Sequence, residues 1–560
     1  MAQMKIVDAQ IDDIHRLYLT HELTPLQLVN FYLARVNQLD MRTDSGPPFN
    51  CIVCVSPSVR DDAAAATDEI SRYGIVKSLH GIPVWIKDNI DVQGLPTTGG
   101  CLALEEGVAL RDAPMIRNLR SAGAIIMGKV GMTELGIGTS EYSTVSGRIG
   151  NALEPRNPPG GSSNGSAVAV SLSFGMLAVG VDDCGSVTDP AAANSCVGLR
   201  PSVGLVNRAG LLSCSTTETT PGPIGRTVLD TAKMLDALAE TATGGRFADI
   251  VSRCQGQYER SIRGRRIGVL AATDPVDFMA SVPACVKEKF AGCLAELERA
   301  DVTVVKDLRI EGFGWRRKSM FEHYNWQVKS LRARKTFPRT PRQLFSADKV
   351  APLIQRLGMH PLLRFGPAFC LPNIYARAYR KEILHNQHLI RQLLANSRVD
   401  AVIAVTTISP SRIATLAQIP HLTIPAGYIE ADKEVAAKGF VVGSRVPWGI
   451  SILGNPGTDG DILAIGYALE QMFKGRVRPD DEIDDGGTVE EDVDVEAFNQ
   501  LKKRIAYHCY RSLQLNEQGQ TYIHPTADEF RTLVREVTMT AATVPGRHAT
   551  EGARLGAAVM

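Results

Sequence analysis

Apolar residues recur along this chain with two different periods, and the switches between them predict a mixture of helices and strands. From Ile11 to Leu39 the spacing is helical and divides into two helices. Thr24-Pro25-Leu26-Gln27 offers a cap, a proline at the first helical position and a glutamine at N3, and Leu28, Phe31, Tyr32 and Val36 follow on one face. An alanine-rich helix with acidic residues is predicted over 61–73. Cys51 to Val55, the run ending at Lys87 and the segment 123–130 are strand-like. The small-residue run Ala167 to Val181 predicts one buried element between two turns. Beyond Pro201 the pattern predicts helix 228–240, strand 266–272, helix 282–299, strand 302–306, helix 374–395 and strand 399–405. Late strands at 420–427 and 448–453 and a helix at 461–472 follow. Such alternation predicts an α/β fold.

Composition adds exclusions. The 560 residues are 44% hydrophobic with a net charge of +1, which gives no electrostatic case for nucleic acid or an anionic membrane as partner. The apolar run 167–181 is interrupted by serines and too short to span a bilayer. MAQMKIVDAQIDDIHRLYL lacks the apolar centre of a signal peptide, so a cytoplasmic location is expected. Eleven cysteines, an odd number scattered along a long chain, suit free thiols. Cys51 and Cys54 form a C-x-x-C pair with no second pair and no nearby histidine, so zinc lacks ligands. The basic, aromatic-containing stretch from Phe313 to about Leu363 reads as an amphipathic helical region with solvated arginines rather than a nucleic-acid surface. From Asp480 to Glu496 there are ten acidic residues and no lysine or arginine, the mark of a solvated linker. Helices are predicted after it at 497–515 and 527–537.

Candidate chemistry concentrates between Pro158 and Pro201. The Gly/Ser cluster Gly160-Gly161-Ser162-Ser163-Asn164-Gly165-Ser166 precedes the apolar run, and a second turn, Asp182-Asp183-Cys184-Gly185-Ser186, follows it. Glycine-rich turns expose several N–H groups that can hold an anion or a developing oxyanion. Gly161-Ser162-Ser163-Asn164-Gly165 fits G-x-S-x-G, but that elbow must follow a buried strand, and prolines at 155, 158 and 159 exclude one. Between His80 and His323 the chain has no histidine, so a Ser-His pair needs a distant segment. Lys87 in Gly81-Ile82-Pro83-Val84-Trp85-Ile86-Lys87 is a nearer candidate base. An ordinary lysine is neutral about once in 2,500 molecules at pH 7, so a basic role needs burial, at a cost on the order of 4 kcal/mol. In a strand Lys87 and Asp88 point to opposite faces, which keeps the adjacent carboxylate from holding the ammonium charged. Gly123-Ala124-Ile125-Ile126-Met127-Gly128-Lys129-Val130 nearly matches a phosphate-binding loop but ends in valine and is strand-like.

Three ordered segments, GIPVWIKDNIDVQGLPTTGG (81–100), PPGGSSNGSA (158–167) and GVDDCGSVTDPAAANSCVGLRPSVG (180–204), together resemble the amidase signature family of serine hydrolases. Lys87 to Ser162 spans 75 residues and Ser162 to Ser186 spans 24, spacings that suit the family's Ser-cisSer-Lys triad. The resemblance runs from about residue 10 to about 473 and implies Ser186 as nucleophile, Ser162 as bridging serine preceded by a cis peptide bond, and Lys87 as terminal base. It implies an oxyanion hole from the N–H groups of Asp183, Cys184, Gly185 and Ser186, and Leu135 as an acyl-side contact. It also implies the family's α/β fold, a large mixed central sheet covered by helices on both faces.

This sequence departs from the family pattern G-T-D-T-G-G-S-I-R in placing Cys184 where the family has glycine and Thr188 where it has arginine. Cys184 requires either a negative φ or a strained turn. Losing the arginine is expected to leave Asp182 without its charge partner, which is costly for a buried carboxylate.

The expected organisation is an amidase signature domain over 1–475, followed over 476–560 by the acidic linker and a C-terminal helical extension. The expected activity is that of a serine amidohydrolase on non-peptide C–N bonds of linear amides, by hydrolysis or acyl transfer through an acyl-Ser186 intermediate, with no metal and no cofactor. The expected partner is a small-molecule amide substrate, with no nucleic acid, no stable membrane insertion and room for a homodimer. Two other readings stay open: an A-type subunit of a tRNA-dependent amidotransferase, and a catalytically silent family member with a binding role.

Overall fold

A computed structural model of the protein describes residues 6–41, 47–137, 141–212, 217–239, 246–273, 276–277, 282–314, 372–479 and 493–514. Most of the basic region at 313–363, the acidic run at 480–492 and the helix expected at 527–537 lie outside the described residues.

The strands are β1 (Ile52–Val55), β2 (Pro83–Lys87), β3 (Ile125–Val130), β4 (Tyr142–Ser143), β5 (Gly147–Arg148), β6 (Leu177–Asp182), β7 (Val197–Arg200), β8 (Thr220–Gly225), β9 (Arg266–Thr273), β10 (Val276–Asp277), β11 (Thr303–Ile310), β12 (Ala401–Val405), β13 (His421–Glu430) and β14 (Arg445–Leu453). Twelve of them form one mixed sheet in the order β1-β3-β2-β6-β8-β7-β13-β14-β12-β9-β10, with β11 added beside β9, while β4 and β5 make a small hairpin. The expected mixed α/β architecture is thus observed.

Where the predicted helices fall on described residues, they form close to the expected positions. The N-terminal pair is Ile11–Leu19 and Pro25–Leu39. In the second, Thr24 Oγ1 accepts from the Gln27 N–H at 3.2 Å and Gln27 Oε1 accepts from the Thr24 N–H at 2.9 Å, a reciprocal cap. The alanine-rich helix Val59–Tyr73 packs on the Pro25–Leu39 helix and on β3. Helix Asp459–Phe473 covers β13 and helix Val228–Leu238 covers β8.

The run 167–181 differs from the single element expected: it divides into helix Asn164–Ser171 and strand β6. Both are buried throughout, so neither shows the one-sided pattern by which helix and strand are told apart.

The helix Val495–Gln514 packs along the edge strand β1. Asn499 brackets Val55, donating to its carbonyl and accepting from its N–H at 2.9 Å each. Lys502 Nζ lies 2.9 Å from Asp40 Oδ2 and 2.5 Å from Asn50 Oδ1, with Asp40 wholly enclosed.

Candidate active site

Lys87 ends β2, a strand buried on both faces between β3 and β6, to both of which it runs parallel. The register pairs Ile86 with Val179, so the carboxyl ends of β2 and β6 lie side by side and deliver Lys87 and Asp182 to the same edge. Crevices at the carboxyl ends of parallel strands are where open α/β sheets hold ligands.

Lys87 Nζ reaches across this edge to Ser162 Oγ at 2.8 Å, Ser163 Oγ at 2.8 Å and the Val181 carbonyl at 3.1 Å, and the side chain is 1% exposed. Asp88 turns the other way, toward Lys129 Nζ at 3.4 Å and the Gly100 N–H at 3.0 Å. The opposed directions of Lys87 and Asp88 are those expected of neighbours in a strand. Lys129 is thereby committed to an ion pair and to the Pro96 carbonyl at 3.0 Å, and its segment is strand β3 rather than a loop.

Ser162 follows a cis peptide bond from Gly161 and precedes the helix Asn164–Ser171. Ser163 is fully buried, and its hydroxyl exchanges hydrogen bonds with the Val181 N–H at 3.2 Å and the Val181 carbonyl at 3.3 Å. That commitment suits an anchor between helix and β6. Sequence reasoning weighs Ser163 only as an elbow nucleophile, and its adjacency to Ser162 is the available signal for its contact with Lys87.

Ser186 stands in the turn after β6, 8% exposed, and its carbonyl accepts from the Ser163 N–H at 3.0 Å. This backbone bond joins the two serine-bearing turns. Gly185 has φ of +87°, and a Cβ there would fall 2.5 Å from Asp189 Oδ2, so only glycine fits. Cys184 is not among the residues with positive φ, which resolves the choice posed by the sequence in favour of an unstrained backbone. Cys184 is a partly exposed cysteine.

Asp182 organises the turn. Its Oδ1 accepts from the Gly185 N–H at 3.1 Å and its Oδ2 from the Val187 N–H at 2.8 Å. Gly185's N–H, one of the four expected oxyanion donors, is therefore directed at Asp182. The expectation that Asp182 lacks a charge partner is corrected: Arg200 at the end of β7 donates to Asp182 Oδ1 at 2.8 Å and to the Glu218 carbonyl at 2.7 Å. Arg200 is visible in the motif, but its reach depends on sheet order, which sequence spacing does not convey.

Thr188, in the family's arginine position, is buried with its hydroxyl 3.4 Å from both Ser411 Oγ and His421 Nδ1. His421 Nε2 in turn lies 2.7 Å from Ser451 Oγ. Burial pushes the His421 imidazole down to about 4, so it is neutral at pH 7. This distant histidine contacts Thr188, two positions beyond Ser186. Leu135, the expected acyl-side contact, is buried at φ +53°, with its N–H donating to the Gly99 carbonyl at 2.7 Å.

The amidase family profile matches residues 27–336, more than half of the chain. The chain belongs to the amidase family. A probable amidase of Arabidopsis thaliana is 34% identical over 281 residues, 47% of this chain and 54% of that protein. The A-type chain of the glutamyl-tRNA(Gln) amidotransferase of Alkaliphilus metalliredigens is 35% identical over 235 residues, 42% of this chain and 47% of that protein. The chain thus spans about half the length of these two curated relatives. Among solved structures, the peptide amidase of Stenotrophomonas maltophilia superposes with a TM-score of 0.71 at 26% identity, over 85% of this chain and 99% of that one. No described helix is long and apolar enough to cross a membrane.

Proposed function

We propose that this protein is a serine amidohydrolase that cleaves the C–N bond of a small, non-peptide carboxamide through an acyl-Ser186 intermediate. The carrying observation is the 2.8 Å contact between Lys87 Nζ and Ser162 Oγ, beside a turn whose backbone is bonded to that of Ser186. In this reading Ser186 Oγ attacks the amide carbonyl and its proton passes through the Ser162 hydroxyl to neutral Lys87. Backbone N–H groups of the Asp183–Ser186 turn other than that of Gly185 receive the oxyanion. Collapse returns the proton to the leaving amine and leaves an ester on Ser186. Water then attacks that ester, releasing the acid and restoring the serine. Leu135 serves as an acyl-side contact, and residues 1–475 form the catalytic unit, with the remainder as an extension.

The test is labelling by a fluorophosphonate followed by peptide mapping, together with hydrolysis of aryl, alkyl, aminoacyl and peptide amides. A label on Ser186 that disappears in Ser186→Ala supports the reading, and a label that persists on that variant overturns it. Preference for the peptide amide would move the substrate class toward that of the Stenotrophomonas relative.

The likeness to the A-type chains of glutamyl-tRNA(Gln) amidotransferases supports a second reading, in which the protein works within an amidotransferase built of several chains. Copurification of companion chains from the native host, with no turnover by the isolated protein, would favour it.

A further inference from the structure

Beneath the nucleophile turn lies a cluster of polar groups that the proposed chemistry does not use. Asp189 N–H donates to the Gly185 carbonyl at 2.8 Å, fixing the residue under the turn. Its Oδ1 accepts from Ser411 Oγ at 3.0 Å, brought in by helix Ile408–Ala417. Its Oδ2 fills the space in which a Cβ on Gly185 would stand. Ser411 also faces Thr188, and beyond it the series continues through His421, Ser451 and Thr406 to Thr423, which stands 2.7 Å from Thr406. Part of Asp189 reaches solvent, but both carboxyl oxygens point inward to these contacts.

We propose that Asp189 is a positioning residue for the nucleophile, its carboxyl held by Ser411 on one side and seated against Gly185 on the other. The inference rests on Ser186 being the nucleophile, and it extends that reading to a group that touches neither substrate nor the reacting atoms. Charge as well as shape supports it. Asp182 accepts from the Gly185 N–H and carries the charge that Arg200 balances. A second carboxylate at Asp189 would add its charge to that of Asp182 beside the same glycine, with no ion-pair partner of its own among the described residues. His421 on β13 faces the cluster as a neutral imidazole, Thr188 and Ser411 are uncharged, and Lys87 on β2 is engaged with Ser162 and Ser163. Asp183 and Cys184 belong to the turn itself, with Asp183 accepting from Thr219, and Arg412 adjoins Ser411 on its helix. Enclosure, reinforced by the Asp182 carboxylate, pushes the Asp189 carboxyl up to about 8, so at neutral pH it occupies its place as an uncharged acid. Above that pH it ionises, repels Asp182 and releases the Gly185–Ser186 turn.

The experiment measures the rate at which a fluorophosphonate labels Ser186 from pH 6 to pH 10 in the full-length protein, in Asp189→Asn and in Ser411→Ala. Asn keeps the shape and cannot ionise. The ratio of wild-type to Asp189→Asn rates falls about tenfold between pH 7 and pH 9, because an acid one pH unit above its midpoint is about nine-tenths ionised. Ser411→Ala removes a hydroxyl that favours the ionised form, so its alkaline decline moves to higher pH. A ratio independent of pH overturns the proposal, as does an effect of Asp189→Asn confined to KM on any hydrolysed amide.

Melting temperatures supply a readout that does not depend on catalysis. A carboxyl harder to ionise in the folded state than in the unfolded one stabilises fully below about pH 4, and that contribution is lost as the pH rises to about 8. The melting temperature of wild type minus that of Asp189→Asn therefore narrows from pH 5 to pH 8, and parallel curves overturn the neutral-acid assignment. Wild type that takes no label overturns the nucleophile reading and the positioning role with it, while the melting curves still report whether Asp189 is protonated.

Discussion

Arg200 Nη1 stands 2.8 Å from Asp182 Oδ1, with neither side chain reaching solvent. The pair stabilises the turn after β6 indirectly, because the same carboxylate also receives the N–H groups of Gly185 and Val187. A guanidinium suits the place, since its fork spans Asp182 and the Glu218 carbonyl together.

Removing the cation leaves a buried carboxylate unpaired, so Arg200→Met is expected to cost about 3–5 kcal/mol and to depress turnover. Urea denaturation of Arg200→Met, Asp182→Asn and the double variant checks this. The double variant recovers part of the loss, whereas strict additivity would show that the two side chains act separately.

Lys87→Ala lowers amide turnover more than ester turnover, because an amine leaving group must be protonated and a phenolate need not be. Matched aryl esters and anilides of one acyl group give the comparison. Equal losses on both would assign Lys87 a purely architectural part in holding Ser162 and Ser163.

The departures from the family turn behave differently from one another. Cys184 gains no relief from glycine, since its backbone does not occupy the positive-φ region. Cys184→Gly therefore does not raise turnover, and it destabilises by roughly 0.4–1 kcal/mol through the added freedom of the unfolded chain. Thr188→Arg forces a guanidinium into a buried site between Ser411 and His421, where Asp182 already has its cation. Overpacking of this kind costs about 1–3 kcal/mol before the buried charge is counted. Denaturation midpoints and turnover of the two single variants test both statements, and a rise in turnover with Cys184→Gly would contradict the first.

Lys502→Met strips Asp40 of its cation at the junction of the C-terminal helix and the N-terminal layer, with a loss of about 3–5 kcal/mol expected. Limited proteolysis checks the location as well as the size: the variant is cut first around 493–514. Pairing Lys502→Met with Asp40→Asn restores resistance, because the neutral amide leaves no charge stranded.

Local chemistry makes much of this fold legible. Thr24 and Gln27 announce a capped helix from four adjacent residues, and the apolar run before Lys87 announces a buried strand. Where neighbours in sequence decide the conformation, the pattern suffices. It fails at Ala167–Val181, because a helix and a strand buried on every side share one featureless apolar signature. It gives no signal for β8, where Pro221 and Pro223 in TPGPIG count against a central strand although this one lies between β6 and β7. Lys87, Ser162 and Ser186 are legible through ordered motifs. Arg200 opposite Asp182, Ser411 beneath Asp189 and His421 beside Thr188 are not, because each depends on strand order and register over 18, 222 and 233 residues respectively.

The contact between Asp40 and Lys502 also bears on how the chain is made. A ribosome that has released Asp40 must synthesise 462 further residues before the ammonium that neutralises it exists. Until then β1 presents an unsheltered margin, its Val55 amide and carbonyl waiting for Asn499. The nascent protein therefore carries its open strand edge through most of translation, and the late helix closes it. Chains interrupted before that helix are the ones a chaperone or protease would recognise as unfinished.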